Sequence, residues 1–377
     1  MASFIRNIVR ISSILKIGTL ISSAALILAY IAPFVHPSTL KILPFFGLAY
    51  PIFLLIQLGM LLIWFLVKSR WAIFSLIIIL IGGKLHFRLI ATGSNPEDIP
   101  TEESVLHVMS YNVRLFDLYT ADLDEKYTKR NAIFDYIQTK NPDVVCFQEF
   151  YHQDKPTRFS TRDTLFQLLN TKDYHERYAH KLRGRQNFGV AILSKYPVIA
   201  KGDVIFETQG EKDFNYCIFV DVVKNQDTFR VYNVHLQSIK LQQDDYSEFN
   251  GSEKETQKPN VLRLMIDKLR VAYPKRAEQA RTVVEHMKNS PYAIVVCGDF
   301  NDTPLSYAYN QFDRLLVDAF RNTSFGIGST YVGRIPAGRI DYIFHSNELN
   351  SANFTIQDVP QSDHRAISCS IYYKKTE

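Results

Sequence analysis

Two short polar words stand beside apolar runs near the end of the chain. Gly298-Asp299-Phe300-Asn301 follows Ile294-Val295-Val296-Cys297, and Ser362-Asp363-His364 precedes Ala366-Ile367-Ser368-Cys369. A β-branched apolar run predicts a buried strand, so these acids and this imidazole belong at strand ends. The pattern recurs upstream: Asn112 closes Met109-Ser110-Tyr111-Asn112, Glu149 closes Phe147-Gln148-Glu149, and His235 lies in Tyr232-Asn233-Val234-His235. Asp341 sits in Arg339-Ile340-Asp341-Tyr342-Ile343. Taken singly, each has an ordinary explanation: a turn asparagine, a surface acid, a satisfied core histidine, a helix cap at Asp299 and Asn301. Together they place carboxylates, carboxamides and imidazoles at one rim, the raw material of metal-assisted hydrolysis.

Oxygen donors without thiolates or paired metal-binding histidines favour Mg²⁺, with Mn²⁺ or Ca²⁺ as alternatives, over zinc. A cation held by such acids would neutralise charge developing on a phosphoryl group. Histidines at this rim suit proton transfer near neutral pH, and a buried acid such as Asp341 can orient one of them. The four cysteines, Cys146, Cys217, Cys297 and Cys369, lie inside apolar runs with no metal-binding spacing. They read as small core residues.

The elements that must position these groups alternate. Strand character appears at 105–113, 144–149, 188–194, 216–223, 228–236, 293–300, 339–345 and 366–373, and helical periodicity at 125–140 and 273–289. That alternation predicts helices packed on two packed sheets. The polar, aperiodic stretch 237–259 is too long for an ordinary connection and reads as a mobile loop or a substrate-facing insertion.

The first quarter of the chain is a different material. Residues 1–91 hold eight Lys/Arg and no Asp or Glu, which leaves 35 basic and all 38 acidic residues beyond, a formal balance of −3. The overall +5 therefore gives no sign of a phosphate-gripping surface in the remainder. Residues 1–91 read as a transmembrane region of three helices, about 11–35, 43–67 and 71–90; two spans with an interfacial third helix is the alternative. A signal peptide is the competing reading of the first run, against which no small-residue cleavage site precedes the second. Lys84 and Arg88, in the third, are expected to snorkel or pair. Residues 92–104, polar and proline-containing, read as a linker to a domain at 105–377. Basic residues flanking the first span and filling the loop Lys68-Ser69-Arg70 put that domain on the extracytoplasmic side.

The ordered words SYNVR, FQE, GVAILSKYP, YNVHL, GDFN, RIDYIF and SDHRA resemble the endonuclease/exonuclease/phosphatase superfamily, the deoxyribonuclease I-like fold, from Val105 to Tyr373. The resemblance implies a four-layer αββα sandwich of α/β (α+β) class with its site at one rim of the two sheets. It further implies that Asn112 and Glu149 hold the divalent metal, with Asp363 supporting it. Asp299 would orient or activate the attacking water, and Asn301 would position that water or the phosphate. Asp341 would pair with His364, which contacts the scissile phosphate or acts as general base. His235 would bind phosphate or assist the leaving group.

The superfamily shares a phosphoester-cleaving core and varies its loops. A slightly acidic domain behind apolar helices suggests a membrane-tethered phosphodiesterase or phosphatase acting on lipid headgroups or other surface phosphoesters. Its partners would be membrane lipids, through the N-terminal helices, and the phosphoester itself; no protein partner is expected. An anchored endonuclease or exonuclease is the alternative, with Lys181-Leu182-Arg183-Gly184-Arg185 as a local backbone contact. A scaffold that only binds a phosphorylated ligand is the further alternative, although binding alone needs no water-activating Asp299.

Overall fold

Each β-branched run named above forms a strand with one face in a shared core. The computed structural model describes residues 2–101, 104–182, 184–207, 215–239, 261–333 and 338–374. The stretch 237–259 therefore lies almost wholly outside the described residues, as does Arg183. Two compact units are present: 1–90 with 303–310, and 91–302 with 311–377.

The larger unit contains β1 (Ala91–Thr92), β2 (Leu106–Asn112), β3 (Val144–Gln153), β4 (Asp173–Leu182), β5 (Gln186–Ser194), β6 (Val198–Val204) and β7 (Cys217–Lys224). It continues with β8 (Asp227–His235), β9 (Ala293–Asp299), β10 (Val317–Asp318), β11 (Phe325–Gly326), β12 (Asp341–His345), β13 (Leu349–Ile356) and β14 (Ile367–Tyr373). One six-stranded sheet runs β13-β14-β2-β3-β5-β4 and the other β10-β12-β9-β8-β7-β6. Their facing sides share a core of Val108, Cys146, Ile192, Val220, Val231, Val295 and Ile343, all essentially inaccessible to water. At about 1.5–3 kcal/mol per buried aliphatic side chain, this seam is a large part of the apolar glue of the unit. The four cysteines are buried and unpaired, as core residues should be. The helices Leu123–Lys140 and Arg162–Leu168 cover the first sheet through Ile133, Phe134, Ile137 and Leu165. The four-layer sandwich expected from the sequence is the fold.

Topology explains why one rim collects the polar words. Each sheet has one parallel pair, β2–β3 and β8–β9, joined by a crossover containing a helix, Leu123–Lys140 or Val261–Met287. The carboxyl ends of parallel strands point the same way, and there ligands gather in α/β folds. Asn112, His235 and Asp299 occupy those ends. The antiparallel neighbours enter from the same side: Asp341 opens β12 opposite Asp299, and His364 lies three residues before β14, whose Ile367 faces Ser110.

The smaller unit holds the helices Ala2–Ile31, Leu43–Leu48, Tyr50–Leu66, Trp71–Gly82 and His86–Leu89. Two stretches, Ser12–Phe34 and Trp71–Leu89, are long and apolar enough to cross a membrane, and Tyr50–Leu66 is a shorter apolar helix. The run expected as one helix over 43–67 is broken at Ala49, just before a proline in the first turn of Tyr50–Leu66. Two buried polar bonds join these helices: Ser22 Oγ donates to Gln57 Oε1 at 2.6 Å and Trp64 Nε1 to Thr19 Oγ1 at 2.9 Å. Arg88 is paired, donating to Asn310 Oδ1 at 2.7 Å within the same unit.

Candidate active site

Asp299 is the hub of the rim. It ends β9 with 1% exposure, and it accepts from the Asn301 backbone N–H (2.7 Å), Asn112 Nδ2 (3.0 Å) and Asn301 Nδ2 (3.2 Å). The residue before it must be glycine. A Cβ on Gly298 would stand 2.0 Å from the Val234 carbonyl oxygen, inside the parallel β8–β9 ladder. Asn301 adopts a positive φ of 54° and its Nδ2 also reaches Leu236 O at 3.1 Å. That turn folds the word back onto its own carboxylate. His235 is paired with Asp299 across the ladder, its Nε2 3.8 Å from Asp299 Oδ2.

The second focus is His364. Its Nδ1 lies 3.0 Å from Asp341 Oδ2, and its Nε2 lies 3.7 Å from Asp299 Oδ2. Burial alone would lower the imidazole pKa, but the Asp341 and Asp299 carboxylates outweigh it and hold the ring well above its ordinary value. Asp299 is pushed up by burial and by Asp341, against the pull of His364, His235 and Asn112. Tyr331 packs edge-on against His364 at 5.0 Å.

The third focus is Glu149. Between Phe147 and Phe150 the β3–β5 register slips, and Glu149 sits in this bulge with φ 49°. Bulges re-aim side chains, and a positive φ in a non-glycine residue is a strained conformation typical of functional sites. Burial, reinforced by Asp363, pushes Glu149 up to about 7. Its carboxylate has no hydrogen bond or ion pair among the described residues. Asp363 is half-buried, 3.6 Å from Arg114 Nε, and bonded to Ser362 Oγ at 3.2 Å. Ser362 Oγ also donates to Asn112 O at 2.9 Å, tying the segment before β14 to the end of β2.

The eight candidate site residues, Asn112, Glu149, His235, Asp299, Asn301, Asp341, Asp363 and His364, thus all lie at the rim. Asn112, His235, Asn301 and Asp341 join Asp299 and His364 by direct hydrogen bonds or close approach, and Glu149 joins through charge coupling to Asp363, Asp299 and His364. The ligand atoms of Asp299, Asp341 and His364 fall within 4.8 Å of one another. A divalent cation fits the donor chemistry of these acids. His364, raised well above its ordinary pKa by two carboxylates, is a poor ligand, whereas Glu149 is pushed up by burial, Asp363 and Asp299 against the pull of His364 and Arg114, with no direct ion pair among the described residues.

Three supporting side chains were not singled out in the sequence. Asn233 is fully buried, donating to Phe147 O (2.8 Å) and Ala191 O (2.9 Å) and accepting from Gln148 Nε2 (2.7 Å). This polar bolt joins the two sheets beneath the site. Its signal was a carboxamide within an otherwise apolar run, in the words FQE and YNVHL. Thr330, the third, accepts from the Asp341 backbone N–H at 3.1 Å and lies in a stretch with no regular pattern. In the basic cluster near 183, Arg185 is turned inward, donating to Asp154 O at 3.0 Å.

Residues 109–364 match the family described as Endonuclease/Exonuclease/phosphatase, and residues 12–89 match a domain of unknown function, DUF8431. No curated protein matches the chain. Among solved structures, a family protein from Leptotrichia buccalis is 18% identical, covering 71% of this chain and 100% of that one with a TM-score of 0.51. One from Bacteroides thetaiotaomicron is 16% identical over 74% of this chain and 100% of that one, with a TM-score of 0.51. The human Nocturnin catalytic domain with bound sulfate anion is 16% identical over 73% of this chain and 97% of that one, with a TM-score of 0.50. At such identities these structures share the fold. The family match spans more than half of the sequence, and with the rim just described it places this chain in the endonuclease/exonuclease/phosphatase family.

Proposed function

We propose that the protein is a divalent-metal-dependent phosphoester hydrolase tethered to a membrane, acting on lipid headgroups or other phosphoesters presented at a surface. Members of the family typically hydrolyse phosphoester bonds and are generally metal-dependent. The observation that carries the reading is the imidazole of His364 set between Asp341 and Asp299, beside an acid, Glu149, that burial and Asp363 push toward neutrality.

Asn112, Glu149 and Asp363 would hold the cation, Mg²⁺ in the first instance. When bound, the metal would polarise the phosphoryl group and neutralise charge on it. Asp299, its lone pairs fixed by Asn112 and Asn301, is placed to accept the proton of an attacking water. Asn301 would position that water or a phosphate oxygen. Asp341 keeps the His364 Nδ1 proton in place, so that Nε2 presents a charged donor toward a phosphate oxygen. His235 offers a further imidazole for phosphate or leaving group. Two apolar stretches of spanning length in the same chain support the membrane reading.

The test is turnover by the full chain in lipid nanodiscs with Mg²⁺, Mn²⁺ or Ca²⁺, against phospholipids, phosphomonoesters and plasmid DNA. Metal-dependent headgroup release supports the reading. Rapid cleavage of DNA with no lipid product would replace it with an anchored nuclease, and no turnover on any substrate would favour a phospho-ligand-binding scaffold.

A further inference from the structure

Between Phe325 and Val332 one short segment connects the point where the apolar helices end to the catalytic rim. Its first two residues form β11, which pairs antiparallel with β1: Thr92 faces Phe325 and Ala91 faces Gly326. The expected linker thus opens with a docked strand. Ala91 is 1% exposed, and a Cβ on Gly93 would stand 2.3 Å from Asn322 O. Ala91 is only two residues beyond Leu89, the end of the spanning-length stretch Trp71–Leu89. At 3.3–3.6 Å per residue, β1 and its partner Phe325 are tied within roughly 10 Å of chain to that helix end, whatever the orientation of the two units.

The other end of the segment belongs to the site. Thr330 Oγ1 accepts from the backbone N–H groups of Ile340 and Asp341, and Thr330 O accepts from Arg365 N–H at 2.7 Å. Tyr331 bridges His364 and packs on its ring, and Val332 N–H donates to Asp363 O at 2.8 Å. The middle is braced: Gly328, at φ 62°, lies where a Cβ would strike the Phe320 ring at 2.3 Å. Yet the tip displays two large apolar side chains, Phe325 at 85% exposure and Ile327 at 57%. Isolated exposed apolar residues need no explanation. Two in three residues, on a braced segment at the foot of a membrane-length helix, are in the position of an interfacial anchor.

We infer that Phe325 and Ile327 insert into the interface of the bilayer that holds the apolar helices, and that the segment thereby fixes the catalytic rim at headgroup depth. This rests on the membrane-tethered reading above. From Phe325 to Tyr331 is six residues, at most about 20 Å of extended chain, so a phosphoester in the headgroup layer of the same membrane comes within reach of His364. The substrate class is then a membrane-resident phosphoester, hydrolysed where it lies.

The experiment uses the full chain in phosphatidylcholine vesicles, with and without bromine on the acyl chains, and reads tryptophan quenching. The chain's own two tryptophans, Trp64 and Trp71, both lie in the helical unit and report the membrane reading. Phe325→Trp and Ile327→Trp, made separately, report the inference after subtraction of the unmodified protein. Loss of the added emission in brominated lipid, with a blue shift and stronger quenching by bromines near the headgroup end, is expected for each. If Trp64 and Trp71 are quenched while both added tryptophans stay water-like, the inference falls and the membrane reading stands. If Trp64 and Trp71 are themselves unquenched, both fall.

Discussion

His364 and Asp341 are joined through Nδ1 at 3.0 Å, on an imidazole whose opposite nitrogen is 3.7 Å from Asp299. One ring between two buried carboxylates holds its proton well above the ordinary histidine range, because those charges outweigh the burial that would strip it. Removing Asp341 removes the larger of the two favourable charges. Asp341→Asn is therefore expected to lower kcat about 10²–10⁴-fold, the usual worth of a positioned acid or base, and to lower the His364 pKa. With the charged ring as the working form, the alkaline limb of the pH–rate profile moves to lower pH. A profile that falls in height without moving would contradict this.

Glu149 supplies a prediction in stability. Burial and Asp363 hold its pKa at about 7, above the 4.5 of a free side chain. The unfolded chain then releases this proton first as pH rises, so the metal-free fold loses stability between pH 4.5 and about 7 and no further above it. A cation that binds the ionised form offsets this loss. Thermal unfolding should show Mg²⁺ raising Tm more at pH 8 than at pH 5.5, and Glu149→Gln should abolish that rise. An equal Mg²⁺ effect at both pH values would argue against Glu149 as ligand.

Asn233 supports the rim without touching it. Asn233→Ala takes the side-chain donor from the carbonyls of Phe147 and Ala191 and leaves the Gln148 amide only its longer bonds to Ser110 Oγ and Cys146 O, in a buried seam. Unsatisfied buried groups cost about 1–3 kcal/mol each, and partial relaxation brings the expected loss to roughly 2–4 kcal/mol. Urea unfolding measures it; a loss below half a kcal/mol would mean that water or a neighbour substitutes.

Central strands were legible in the sequence and edge strands were not. The runs that became β3 and β9 begin apolar on both faces because each is covered on both sides, and those of β2, β8 and β14 keep a row of apolar residues on the face that meets the other sheet. The edge strands β4 (DYHERYAHKL), β6 (VIAKGDV) and β13 (LNSANFTI) carry the polar residues that protect an exposed edge, and those same residues erase the strand signal. Site residues stood out only as a set: singly each had an ordinary explanation, but acids, carboxamides and imidazoles recur at the ends of successive apolar runs. Thr330 and Tyr331 were illegible because they act through backbone groups and ring contact in a segment without periodicity. The bulge at Glu149 was hidden as well, since register slips depend on the partner strand.

Gly298 tests how tightly the rim is built. Gly298→Ala would place a methyl 2.0 Å from Val234 O, against backbone that cannot swing aside. Asp299 and His235 should separate, with loss of both stability and turnover. A variant retaining full activity and an unchanged Tm would mean the ladder has more slack than the structure indicates.

The most direct measurement is metal-dependent phosphoester turnover by the full chain and by Asp299→Asn and His364→Ala, each checked for an unchanged circular dichroism spectrum. Activity is expected to be lost on chelation, restored by Mg²⁺, and reduced at least about 10²-fold in each variant. Turnover that survives chelation, or that both variants retain, would contradict this expectation.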